Sequence, residues 1–227
     1  RPYMLHPPSW WDEERSRFAK LDDKAREAAL APANALLNSA KPFPVKPTVV
    51  DKRKINDGAE VEIPWWSPED TKTFEANFAA IRTLGEAYQR TLDERYARKA
   101  AAMMVEFAGR YAQYPWHGNY EISDQGQAKI AMNNLHESYW LTDLAGAYDL
   151  IFDSPSLSTG DKEEIAHEFL VDAARHQTTI CSAFTNMTST RFASAAMCGF
   201  LLGDANLVQY AVYGHHGLAI SSEVSIS

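Results

Sequence analysis

The sequence predicts an all-α fold built from antiparallel helical hairpins, either an α-solenoid or a closed α/α barrel. Three observations predict it. From residue 67 onward, apolar residues recur at helical spacing almost without interruption. Start and stop signals divide that stretch at intervals of roughly 30 to 40 residues, so each helix meets a short loop and then an antiparallel partner. No strand run and no dinucleotide-type glycine loop intervenes. An open α-solenoid satisfies the same pattern, although no strict tetratricopeptide or HEAT repeat is present.

Residues 1–66 read as a lead-in with an irregular arm, and 67–227 as the helical hairpins, expected to continue beyond the chain end in the full-length protein. Three prolines keep RPYMLHPPS extended. Ser9 reads as the cap of a helix over 10–21, with acids early and bases late. Asp22 and Asp23 restart a helix to about residue 38, and KPFPVKP (41–47) breaks it. Residues 48–66 are the least helical, either a hairpin around Asp57-Gly58 or an irregular arm over a cleft. Ser67-Pro68-Glu69-Asp70 is a cap, a first-position proline and two acids. Phe74, Phe78, Ile81, Leu84, Ala87 and Tyr88 form the stripe of the helix that follows. After a turn at 92–94, a helix over 95–114 turns Tyr96, Ala100, Met103, Met104, Phe107 and Tyr111 inward. A polar, aromatic loop (115–126) leads to a helix over 127–152 whose first half is polar. Helices over 161–181, 192–202 and 205–225 complete the chain. The 192–202 helix follows a polar mouth, TNMTSTR, and the last contains Gly214-His215-His216-Gly217.

The 227 residues carry a formal charge of −8, with 45% hydrophobic and 23% charged residues. That suffices for a sizeable core and argues against nucleic acid as a partner, which needs a basic face. A local basic pocket for an acidic sugar remains compatible. Six Trp and ten Tyr sit largely beside polar residues, as in sugar clefts and in packed interfaces. Cys181 and Cys198 have no metal-site spacing. No apolar run approaches the roughly 18 residues that suggest a membrane span.

His215 and His216 are adjacent and face apart on a helix. His136-Glu137 lacks a second His, since Trp140 stands at that place. No catalytic metal or other cofactor is therefore expected, and a structural metal stays open. No G-x-S-x-G nucleophile motif occurs. Glycoside hydrolysis needs two acids, for which Glu121, Asp124 and Glu137 are candidates. β-Elimination from a uronic acid needs a neutralised carboxylate, a base and an acid. Asn186 and Arg191 suit the first task, although Asn186 or Thr188 as a plain helix cap fits the same residues. His136, Tyr139 and His117 are the nearby proton carriers. Trp116, His117, Asn134, Glu137, Trp65 and Trp66 are candidates for binding sugar.

The run TNMTSTRFASAAMCGFLLGDANLVQYAVYGHHGLAI resembles a segment of the heparinase II/III and alginate lyase superfamily. LGEAYQRTLDERYARKAAAMMVEFAGRYAQYP is similar to a helical hairpin of that family, YWLTDLAGAYDLIFD to its next helix, and HPPSWWDEERSRFAKL to its opening. The resemblance implies an (α/α) toroid, complete or incomplete, and β-elimination on a uronic-acid polysaccharide, alginate-like or a glycosaminoglycan. It maps the family's carboxylate-neutralising Asn onto Asn186. The His that usually follows is Met187 here, which shifts the base to a Tyr or marks a catalytically altered relative. The family's Tyr segment is expected just past the end of this chain. A periplasmic or secreted location is expected with such a substrate; the oligomeric state is not given by the sequence. The rival readings are an α/α-barrel hydrolase and a noncatalytic carbohydrate-binding helical domain.

Overall fold

The computed structural model describes residues 6–39, 41–54, 60–118, 127–131, 134–178 and 186–214. Helices α1 (Pro8–Ala19) and α2 (Asp23–Ser39) precede an antiparallel hairpin of β1 (Val49–Lys54) and β2 (Glu60–Trp65). Then come α3 (Pro68–Thr91) and α4 (Glu94–Tyr111). A short pairing of β3 (His117–Gly118) with β4 (Gln127–Ala128) leads into α5 (Asn134–Ile151). One helix in three pieces follows: α6 (Thr159–Glu164), a π-helical turn (Ile165–Leu170) and α7 (Val171–Thr178). The described chain closes with α8 (Asn186–Leu202) and α9 (Ala205–Tyr213).

Helix α3 packs on α5, and α5 on α8; α4, the α6–α7 helix and α9 cover that row from one side. These are the two layers of an (α/α) toroid. The lead-in helices dock on α3, where Arg15 Nη1 donates to the Gln89 carbonyl at 2.9 Å. Between the layers lies an aromatic core. The Phe107 ring centroid is 5.0 Å from those of Phe43, Phe78 and Phe169. Phe43 comes from the proline-rich breaker and is 1% exposed, so that breaker is anchored by a ring worth about 2 kcal/mol of burial.

Local signals set most boundaries. Ser67 and Asp70 form a reciprocal capping box with Pro68 in the first turn of α3, and Ser158 and Asp161 repeat the box at α6. Leu92 takes a left-handed conformation (φ 56°) to end α3, and Asp93 caps α4. The pairing from Val49↔Trp65 to Lys54↔Glu60 makes the 48–66 stretch a hairpin rather than an irregular arm. Four expectations are corrected. Helix α8 starts at Asn186, not near 192, so the polar run 186–191 is its first turn and a half rather than a mouth before it. Helix α1 starts at Pro8 with Pro7 at the cap position, not Ser9. Helix α4 stops at Tyr111, and beyond it the Tyr114 hydroxyl donates to the Pro44 carbonyl at 2.6 Å. Helix α5 starts at Asn134, not near 127, because the backbone N–H groups of 129–131 turn toward a side chain instead of up a helix. The last helix is described to Tyr213; His215 and His216 lie outside the described residues, as does Cys181.

Candidate active site

Three helices change character along their buried stripes, and they do so at the same end of the molecule. On α5 the stripe begins Asn134, Glu137, Ser138 and continues Leu141, Leu144, Ala145. On α8 it begins Thr188, Arg191, Ser194 and continues Cys198, Leu201. On α7, which runs toward the start of α8, Ala173 and Ala174 come first and Gln177 last. Arg191 Nε donates to Asn134 Oδ1 at 2.7 Å, which sets the starts of α5 and α8 side by side. Arg191 is only 1% exposed. Gathering so many polar groups away from water costs about 1–3 kcal/mol for each one left unsatisfied. A core has no need of them; a site that must bind charge does.

Glu137 organises this end. Its carboxylate accepts from the Tyr111 hydroxyl (2.8 Å) and from the backbone N–H groups of Lys129 (2.8 Å), Ile130 (3.0 Å) and Ala131 (3.2 Å). Burial, and then the adjacent Glu137 charge, push the Tyr111 hydroxyl well above the usual tyrosine range, so it stays a donor. The Lys129 ammonium is enclosed as well. It meets Asp172 Oδ2 at 2.9 Å and lies over the rings of Tyr111 and Trp116, 4.6 and 4.8 Å from their centroids. Trp116 in turn packs against His176, with ring centroids 4.1 Å apart.

The 129–131 segment is a wall with two sides. One side holds Glu137. The other faces a cleft of about 550 Å³ lined by Trp65, Trp66, Lys72, Glu75, His136 and Trp140, with Ile130 and Ala131 from the wall itself. Trp66 Nε1 donates to the Lys129 carbonyl at 2.7 Å and ties the hairpin to the wall. Size and apolar lining suit a sugar-sized ligand.

The sequence candidates fall into separate groups. His136 and Tyr139 stand on the exposed side of the α5 start, ring centroids 6.4 Å apart, with His136 in the cleft. Trp65 and Trp66 line that cleft. Asn134 and Arg191 are joined in the buried layer behind it. Trp116 lies on the Lys129 side of the wall. Glu137 is corrected: it is 2% exposed with its carboxylate taken up by internal donors, so it shapes the wall and does not meet sugar. Asn186 opens α8, but its side chain and those of Met187 and His117 lie outside the described residues, as do Glu121 and Asp124. Among the described residues no group of three or more His, Cys, Asp or Glu could hold a metal, and no helix is long and apolar enough to cross a membrane. Sequence reasoning missed Lys72, Trp140, His176 and Tyr111. Trp140 had a signal, since it follows His136 by four residues and so shares its face. Tyr111 had none, being indistinguishable from a core stripe residue.

The chain is an (α/α)-toroid protein. It belongs to the alginate lyase family, whose model matches residues 16–220. An exo-oligoalginate lyase of Saccharophagus degradans is 28% identical over 142 residues, 61% of this chain and 19% of the relative. An alginate lyase of Stenotrophomonas maltophilia is 28% identical over 145 residues, 61% of this chain and 18% of the relative. The chain thus spans about a fifth of the length of these curated relatives. The crystal structure of alginate lyase A1-III from Sphingomonas species A1 superposes with a TM-score of 0.60 at 18% identity, covering 91% of this chain and 57% of the other. A variant of alginate lyase A1-III complexed with tetrasaccharide gives 0.61, with the same identity and coverage. The family resemblance and the toroid expected from the sequence are both borne out.

Proposed function

We propose that this chain forms the toroid of a polysaccharide lyase that cleaves a uronic-acid polymer, with alginate as the first substrate to try, by β-elimination. One observation carries the reading: a buried arginine, Arg191, hydrogen-bonded to Asn134 where α5 and α8 both begin. Two helix N-termini and a guanidinium concentrate positive potential there. A uronate carboxylate held at that end loses its negative charge in effect, and the proton on the adjacent carbon becomes acidic. Asn186, first residue of α8, is the candidate to join that task. Tyr139 and His136 are the candidates to take that proton and to protonate the leaving oxygen; they stand on the opposite side of α5 from Arg191, so the sugar must lie across the start of α5 to meet both. Tyr111 is not, because its proton is held by burial and Glu137.

The relatives' names, an exo-oligoalginate lyase and an alginate lyase, support the substrate class. Hydrolysis is less well served, since Glu137 is saturated by internal donors. The elimination requires neither metal nor cofactor, and the substrate puts the protein in the periplasm or outside the cell. The test is to incubate the whole protein with alginate, glucuronan and glycosaminoglycans and follow the near-ultraviolet absorbance of the conjugated product. Alginate is expected to give it, and Asn186→Ala to lower the rate about 100-fold or more. No absorbance from any uronate polymer would overturn the lyase reading and leave the carbohydrate-binding one.

A further inference from the structure

A second cleft, of about 720 Å³, opens between the end of α2 and the first turns of α3. Leu36, Ser39, Lys41, Glu69, Lys72 and Asn77 are among its lining residues. Pro68 and Lys72 line both this cleft and the one containing His136, so the two meet across a single turn of α3. Asn77 Nδ2 donates to the Lys41 carbonyl at 3.0 Å and fixes the rim from which the Lys41 side chain departs.

The chain carries −8 overall, yet in this cleft two lysines face one acid, Glu69, and a second acid, Glu75, lines the adjoining cleft. Several other surface cations are engaged in ion pairs: Lys52 with Glu62, Arg82 with Glu86 and Asp143, Arg90 with Glu14 and Glu86. Lys41 and Lys72, like Lys24 on α2, make no ion pair with the described residues. An exposed ammonium left free beside a cleft is a ready partner for a carboxylate.

We propose that the two clefts form one continuous path for a uronate chain. Lys72 at the junction and Lys41 at the far end pair with carboxylates of successive sugars, while Trp65 and Trp140 supply apolar faces in the first cleft. This rests on the uronate reading above and extends it. The path makes the protein a binder of chains rather than of single sugars, because Lys72 and Lys41 each meet a different sugar.

The experiment measures calorimetric affinity of the whole protein for oligouronates from disaccharide to octasaccharide, together with elimination of each. Wild-type affinity is expected to rise with length. Lys72→Glu and Lys41→Glu should each weaken the octasaccharide about three- to tenfold, and the double variant should flatten the rise. Lys24→Glu on α2, away from both clefts, controls for net charge and should keep the rise. Raising the salt should flatten the wild-type rise too. A double variant that keeps the full rise overturns the proposal even when elimination proceeds. A wild type that shows the rise and loses it in the double variant, yet forms no conjugated product, upholds the path and overturns the lyase reading. A wild type that binds no oligouronate overturns both.

Discussion

The Glu137 carboxylate gathers four donors within 3.2 Å, and glutamine there would turn one acceptor into a donor facing donors. Glu137→Gln should therefore cost about 2–4 kcal/mol in urea unfolding, and Tyr111→Phe, which removes one of the four, about 1–2 kcal/mol. Tyr111 also imposes a pH dependence. Its folded ionisation lies well above the ordinary value, while the unfolded chain ionises near pH 10. Its contribution is thus fully present below about pH 10 and is lost as the pH rises beyond it. Tyr111→Phe should flatten the alkaline arm of a stability-against-pH curve. Cys198 is the counterpart without a polar partner: burial alone pushes its thiol up to about 12. In a Cys181→Ser background, a thiol reagent at pH 8 should label Cys198 only as fast as the protein opens. Rapid labelling would show that the α8 stripe is accessible in the folded state.

Helix ends and helix contacts divide what could be read ahead from what could not. The start of α3 was legible because Ser67, Pro68 and Asp70 act within one turn; Ser67→Ala should cost about 1 kcal/mol of thermal stability. The start of α5 was not. The pull on the 129–131 backbone comes from a side chain six to eight residues onward, a separation that neither helical nor strand periodicity registers. The hairpin is one of two readings that the sequence allows, since its register depends on pairing along all six residue pairs rather than on any turn signal alone. Close helix contact was also invisible in one dimension. A Cβ on Gly199 of α8 would lie 2.9 Å from the Val208 backbone nitrogen and 3.0 Å from Leu207 Cβ of α9. Gly199→Ala should force α9 outward and cost about 1–3 kcal/mol, measurable as a lowered melting temperature.

At the scale of the whole molecule, the toroid was readable because its helices alternate with loops in sequence as they do in space. The candidate site was only half readable. The polar starts of α5 and α8 are visible in the chain as Asn134, Glu137, Thr188 and Arg191. That they meet, and that Gln177 and Asp172 of α7 arrive from the other layer, depends on packing between segments far apart in sequence. Their arrival has one more requirement. The helix over 159–178 contains the π-helical turn Ile165–Leu170, which takes up an extra residue and so resets the angular phase of everything after it. Asp172 reaches Lys129, and the Gln177 carbonyl reaches the Tyr210 hydroxyl, only in the phase after that reset. Inserting one alanine after Leu170 would rotate the helix's last two turns by about 100°. Asp172 would then point away from Lys129, leaving an enclosed ammonium unpaired. Removing Ala166 instead takes out the extra residue, so the helix should close as a regular α-helix with Asp172 still on Lys129 and the melting temperature largely kept. The turn acts as an index mark, one residue that clocks the outer layer to the inner.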